Sequence, residues 1–143
     1  YDVKSKVYLY QIFNSSIRPV MLRQYAWFVS GLLNAERMRE AAGIFRGRHD
    51  FSSFCATHSD APDHIRTIMD IQIASNGRDL IQIEMEADGF LRYMVRGIVG
   101  ILVDAGRGKC SLLELQEVMD AKDRKRGSIT APPHGLFLKE VKY

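Results

Sequence analysis

The stretch Gly89–Gly106, GFLRYMVRGIVGILVDAG, leaves a chain of 143 residues few options. Leu91, Met94, Val95, Ile98, Val99, Ile101, Leu102 and Ala105 recur at i, i+3, i+4, i+7 spacing, which predicts a helix over 89–106 with one wide apolar stripe. With successive residues about 100° apart, the stripe centres near Leu102 and Arg96 lies on its flank. Gly97 and Gly100 fall on the far side, where each costs roughly 1 kcal/mol against alanine. Two such glycines imply that backbone or a ligand comes close there. Gly106 is expected as a left-handed C-cap. The rest of the chain must cover this helix and account for one arginine at its edge.

At 143 residues the chain is expected to form a single domain, 1–143. Hydrophobic content of 46% and charged content of 26% are those expected of an ordinary soluble globular protein. A net charge of +3 is compatible with nucleic acid without selecting it. Cys55 and Cys110 match neither a zinc spacing nor a disulfide framework, so a reducing, cytoplasmic setting without structural metal is expected. No apolar run reaches a transmembrane length and no signal peptide is visible. The chain opens on Tyr1 almost within a strand and without an initiator methionine, the pattern expected of a piece of a longer protein.

Lys4–Asn14 (KSKVYLYQIFN) is rich in β-branched and aromatic residues and predicts a first strand. Val7, Leu9 and Phe13 would share one face; Tyr8, Tyr10 and Ile12 the other. Arg18-Pro19 ends it, and Met21–Leu33 is an apolar connection of no evident type. Asn34 is a good N-cap for a helix to about Arg46, with Met38, Ala41, Ala42 and Phe45 inward and Gly47 closing it. Residues 47–64 read as a loop with one helical turn at Asp50–Phe54. Ile65–Ala74 and Leu80–Ala87 are strands joined by the hairpin signal Ser75-Asn76-Gly77. After the 89–106 helix and the basic link Arg107-Gly108-Lys109, Ser111 and Glu114 form a capping-box pattern opening a helix to about Ala121. Asp123–His134 is a charged, proline-bearing loop, and Gly135–Tyr143 alternates as a last strand.

The order β-α-β-β-α-(α)-β is that of the α+β, ferredoxin-like unit. It predicts an antiparallel four-stranded sheet with the first and third strands central, the last strand beside the first, and helices on one face. Tyr8 and Tyr10 are then expected on the opposite, open face. Aromatics there can stack on bases or pack against a neighbouring element. Arg96 suits a carboxylate or phosphate partner, or a stem lying on the core edge with its head in water. Arg107, Lys109, Lys122, Arg124, Lys125 and Arg126 can meet a phosphate backbone or stand as a solvated surface, Asp120 and Asp123 offsetting the second group. His49, His58, His64 and His134 show no metal-ligand spacing, and Cys55 beside His58 lacks the organised base and oxyanion donors of a thiol hydrolase. Asp50, Asp88 and Asp104 sit in no tight glycine-flanked turn, and Asp88 suits capping of the helix that follows.

The segment FLRYMVRGIVGILVDAGRGK resembles the C-terminal part of the tRNA pseudouridine synthase A family. KVYLYQIFN is similar to that family's Arg/Lys-x-Tyr-x-Tyr strand, followed by the fitting turn Ile17-Arg18-Pro19. GRHDFSSF resembles its Gly-x-x-Asp-Phe-x-x-Phe loop, and AKDRKRGSITAPPHGLFLKEVKY its characteristic ending, in the same order along nearly the whole chain. The resemblance implies half of the pseudouridine synthase fold and an isomerase that converts uridines of the tRNA anticodon stem-loop to pseudouridine, with no metal or organic cofactor. It implies that Arg96 pairs with a catalytic aspartate, that Tyr8 stacks on the target base, and that Leu136 lines the uracil pocket. It makes the basic loops Arg107–Lys109 and Lys122–Arg126 tRNA-backbone candidates, and it implies a homodimer.

The family's aspartate lies in an Arg-Thr-Asp-x-Gly-Val-His motif of an N-terminal half that these residues do not contain. The chain by itself is therefore expected to be inactive, with that half as its partner. The alternatives are a non-catalytic RNA-binding βαββαβ module, whose RNP pattern is missing from LIQIEMEA, and a protein-interaction domain docking through its open sheet face.

Overall fold

The computed structural model describes residues 2–17, 24–56, 61–76, 79–126 and 129–143. The turn at Arg18-Pro19, His58 and the Gly77 of the hairpin lie outside the described residues. The elements are β1 (Ser5–Asn14), β2 (Trp27–Val29), α1 (Ala35–Phe45), β3 (Gly47–Asp50), β4 (Ile65–Ser75), β5 (Leu80–Ala87), α2 (Met94–Gly106), α3 (Leu112–Ala121) and β6 (Leu136–Lys142).

The expected order is present with two additions. Among the described residues the sheet has six strands rather than four, because β2 and β3 join its rims. β5 runs antiparallel along one edge of β1 and also pairs with β4, so β1 and β5 are central. The other edge of β1 is shared: β6 takes Ser5–Tyr10 antiparallel and β2 takes Ile12–Asn14 in parallel. The expected loop at 47–64 begins as β3, which pairs with β4, and continues as a 3-10 turn at Ser52–Phe54.

Register corrects the expected facing of β1. Tyr8, Tyr10 and Ile12 lie opposite Met85, Ile83 and Ile81, on the face covered by the helices. Tyr10 and Ile12 are fully buried and Tyr8 packs at the margin of the same core. Val7 and Leu9 instead lie opposite Glu86 and Glu84. The open face therefore carries not Tyr8 and Tyr10 but a charged cluster, beside Leu9 and a Phe137 stacked on Tyr25. Lys139 bonds Glu84 at 3.0 Å, Lys142 bridges Glu86 and Glu140, and Val7 lies beneath them.

The central helix is shorter and more deeply buried than its stripe predicts. It starts at Met94, because Tyr93 stands at φ +67° in the left-handed region and interrupts any helix from Gly89. Within α2 only Arg96 and Asp104 are not buried. An all-round apolar helix must be covered on all sides. α1 packs closely where a Cβ on Gly106 would stand 2.6 Å from Leu33 and 2.8 Å from Met38, while the left-handed turn passes to Gly108. Gly97 admits the backbone of Phe54, and Gly100 admits that of Ile129. The close approach expected at the two glycines is made by the chain itself.

The caps follow the sequence at α1 and α3. Asn34 accepts from the Arg37 N–H, and Ser111 and Glu114 complete a capping box. Asp88 does not cap α2; its carboxylate accepts from the Thr67 N–H across the sheet.

Candidate active site

Tyr8 from β1, the segment Phe90–Tyr93, the first turn of α2 with Arg96, and Pro133 and Leu136 enclose an open pocket of about 310 Å³. Leu136 reaches it because β6 begins opposite Tyr10. Gly135 precedes it as glycine for a steric reason: a Cβ there would stand 2.7 Å from the Gln11 carbonyl oxygen and 2.8 Å from the Tyr10 ring. Three residues far apart in the chain, Tyr8, Arg96 and Leu136, thus line one pocket.

Arg96 is held in place by its own chain. Its Nε donates to the Ala131 carbonyl at 2.7 Å, and its backbone carbonyl accepts from the Ala131 N–H at 3.0 Å. The guanidinium lies 4.8 Å from the centre of the Tyr93 ring. Its two terminal nitrogens have no hydrogen-bond partner among the described residues, which leaves four N–H donors for a planar carboxylate or phosphate.

Tyr8 is half-buried, with its ring edge-on to Phe90 at 5.0 Å and 89°. Its hydroxyl, like the Arg96 amines, has no hydrogen-bond partner among the described residues. Tyr10 is different: fully buried, it donates its hydroxyl to the Pro132 carbonyl at 2.6 Å. Burial pushes its phenol well above the ordinary range, against a smaller opposing effect of the Arg96 charge. It stays a hydrogen-bond donor and holds the 131–135 segment against β1.

The basic residues divide into two groups. Lys122, Arg124, Lys125 and Arg126 follow α3 on a turn that packs beside Ser52–Phe54, where the buried Ser53 hydroxyl donates to Val118 O and accepts from Asp123 N. Arg124 continues the connection by donating to Thr130 at 2.6 Å, next to the Ala131 that bonds Arg96. Arg107 and Lys109 lie past the C-terminus of α2, about 16 Å along its axis from Arg96 at 1.5 Å per residue. The structure does not bring them to the pocket.

The Asp50 loop is a scaffold. Burial works to raise the Asp50 carboxyl, but hydrogen bonds from the Ser52 hydroxyl and N–H outweigh it, with the Lys122 and His64 charges adding to them, and hold it below the ordinary value. This turn seats Phe54 on Gly97. Burial raises the Cys55 thiol, which leaves it a packing group rather than a thiolate. No cluster of metal-ligating side chains occurs among the described residues.

Sequence reading missed Phe90, Arg92, Tyr93 and Pro133 as pocket residues. The first three were absorbed into the expected helix, and Pro133 into a loop whose position the sequence does not specify. Their one sequence signal is adjacency to Arg96 and Leu136.

A family model described as tRNA pseudouridine synthase matches residues 41–143. The chain is 44% identical over all 143 residues to the "tRNA pseudouridine synthase A" of Thermoanaerobacter sp. (strain X514), of which it covers 58%. It is 45% identical over 141 residues to the protein of the same name from Thermotoga neapolitana, covering 57% of it, and 39% identical over 143 residues to that of Pseudothermotoga lettingae, covering 58%. The chain thus spans a little under three-fifths of the length of these relatives. A family match that runs from α1 to the last strand and takes in Arg96 and Leu136 shows that this chain belongs to the tRNA pseudouridine synthase family.

Proposed function

We propose that the Tyr8–Arg96–Leu136 pocket is one wall of a uridine-binding active site, and that the chain is the C-terminal part of an enzyme isomerising uridine to pseudouridine in the anticodon stem-loop of tRNA. The observation that carries this reading is the convergence on one pocket of an aromatic ring, an apolar side chain and an arginine whose terminal nitrogens are unengaged among the described residues. The ring and Leu136 receive the flat base. Arg96 presents a fork to a carboxylate supplied by residues preceding this chain and keeps it ionised, as an opposite charge close by favours the charged form. That carboxylate promotes cleavage of the N1–C1′ glycosidic bond; the freed uracil then turns and forms the C5–C1′ bond, C5 giving up its proton and N1 gaining one. Tyr8 and Leu136 provide a surface on which a base can turn without losing contact. The reaction needs no metal or organic cofactor.

In this reading Lys122, Arg124, Lys125 and Arg126 flank the site as phosphate contacts, with Arg107 and Lys109 reaching RNA at a more distant point. The working enzyme is a cytoplasmic homodimer in which this domain, 1–143, docks on its N-terminal half. No helix among the described residues is long and apolar enough to cross a membrane. An RNA-binding module using its open sheet is disfavoured, since that face carries Asp70, Glu84, Glu86 and Glu140, which repel phosphates.

In the full-length protein, Arg96→Ala is expected to lower turnover of unmodified tRNA by about a hundredfold or more, with the fold retained by circular dichroism. Near-normal turnover removes Arg96 from the site. The 143-residue chain alone is expected to give no pseudouridine, and turnover by it refutes the need for a carboxylate from elsewhere.

A further inference from the structure

We propose that Tyr93 is a positioning residue that fixes the plane of the Arg96 guanidinium, and that the protein keeps it at the expense of stability. The inference rests on the reading of the pocket given above.

Three non-glycine residues have positive φ among those described: Asp79, Tyr93 and Lys122. Asp79 lies beside a hairpin turn and Lys122 is the C-cap of α3, both places where a left-handed residue serves the fold. Tyr93 is the third residue of a turn that the Met94 N–H closes on the Leu91 carbonyl at 3.0 Å, a left-handed position that glycine or asparagine fills without strain and a tyrosine does not. It is the N-cap of α2, a position that favours extended backbone and a short polar side chain accepting from the first turn, and it makes no side-chain cap bond. A bulky aromatic at φ +67° is an outlier, and such strain gathers at functional sites.

What the residue contributes is its ring. The left-handed turn carries the ring over the guanidinium three residues ahead, 4.8 Å from ring centre to Cζ, while Arg92 lies 5.0 Å from the same ring. The Nε bond to Ala131 fixes one point of the Arg96 head. One hydrogen bond leaves the plane of the guanidinium free, and bidentate recognition of a carboxylate depends on that plane. The ring face supplies the missing constraint. It is 41% exposed and belongs to the pocket wall, so it acts where the fork must be aimed.

Asparagine tolerates the left-handed region and can cap a helix, so Tyr93→Asn relieves the backbone while removing the ring. In the full-length protein this variant is expected to raise Tm by about 2 °C. It should lower kcat on tRNA by about three- to fivefold, the factor a half-exposed cation–π contact is worth, with KM unchanged. Tyr93→Phe, which keeps the ring, should retain most of the turnover. Arg96→Ala is measured alongside. If Arg96→Ala is inactive and Tyr93→Asn turns over normally, the positioning role is overturned and the pocket reading stands. If Arg96→Ala itself turns over normally, the pocket reading falls. A Tyr93→Asn protein that loses Tm and kcat together, or a Tyr93→Phe protein as slow as Tyr93→Asn, overturns the trade of stability for aim.

Discussion

Replacing Gly100 by alanine should destabilise the protein even though alanine is the better helix former. The added Cβ would stand 1.7 Å from the Ile129 carbonyl oxygen and 2.9 Å from its carbon. A comfortable carbon–oxygen contact is about 3.3 Å, so the 129–131 segment must withdraw by about 1.5 Å. The obstacle is backbone and cannot swing aside like a side chain. Withdrawal breaks the 3.0 Å bond from Ala131 N–H to Arg96 O and the 2.7 Å bond from Arg96 Nε to Ala131 O. A neutral bond is worth about 1 kcal/mol and one to a charged group about 1.5–3 kcal/mol. Against them stands a gain of about 1 kcal/mol in helix propensity. The net loss is about 1.5–3 kcal/mol. Gly43, exposed in α1, is the internal control: its nearest Cβ neighbour is an Arg46 nitrogen at 3.9 Å. There alanine should gain about 0.5–1 kcal/mol. Equilibrium urea unfolding of the two variants reads the opposite signs, and faster amide exchange at Ala131 locates the damage. A Gly100→Ala protein as stable as the parent would refute the account of how this helix is covered.

Tyr10→Phe removes the donor to the Pro132 carbonyl and should cost about 1–3 kcal/mol near neutral pH. Burial keeps the folded phenol protonated above about pH 10, where the unfolded one ionises. The folded state then binds more protons, so this contribution is whole below pH 10 and declines as pH rises. The parent should lose stability above pH 10 more steeply than Tyr10→Phe, and parallel urea midpoints across that range contradict the argument. Ser53→Ala strips a buried hydroxyl from Val118 O and Asp123 N and should cost about 1–3 kcal/mol, with quicker exchange of the Asp123 amide. An unchanged urea midpoint would show that the Lys122–Arg126 turn is held by something else.

Local pattern carried the helices, the two long strands of the hairpin and the capping of α1 and α3, because each rests on residues close in sequence. It did not carry β2 and β3, which are too short to have a period and are strands only through the neighbours they meet. The facing of β1 was illegible for a related reason. Both of its faces are apolar, so alternation could not choose between them; the choice lies in β5, where Ile81, Ile83, Met85 and Ala87 alternate with polar residues and register transfers that asymmetry across. Gly97 and Gly100 signalled a close approach without naming the visitor, which arrives from residues 54 and 129. That Tyr8, Arg96 and Leu136 belong together was suggested by family motifs and not by spacing; the structure brings the three to one pocket. Tyr93 hid inside a helical pattern that its backbone does not obey.

The shared edge of β1 also sets a timetable. β1 is synthesised before the other strands of this sheet, and earlier segments are free to organise while later ones are still being made. Yet among the described residues its outer edge from Ser5 to Tyr10 is paired only by β6, more than 120 residues later. Closing so large a loop costs little more than closing one half its length, since the entropy grows only logarithmically. The delay is one of supply. Until residues 136–142 exist, the N-terminal half of β1 presents bare peptide groups, the open edge that invites pairing with another chain. Leu136 arrives with the same strand. The pocket is therefore finished in the step that seals the sheet, and a ribosome stalled before β6 holds a domain with neither.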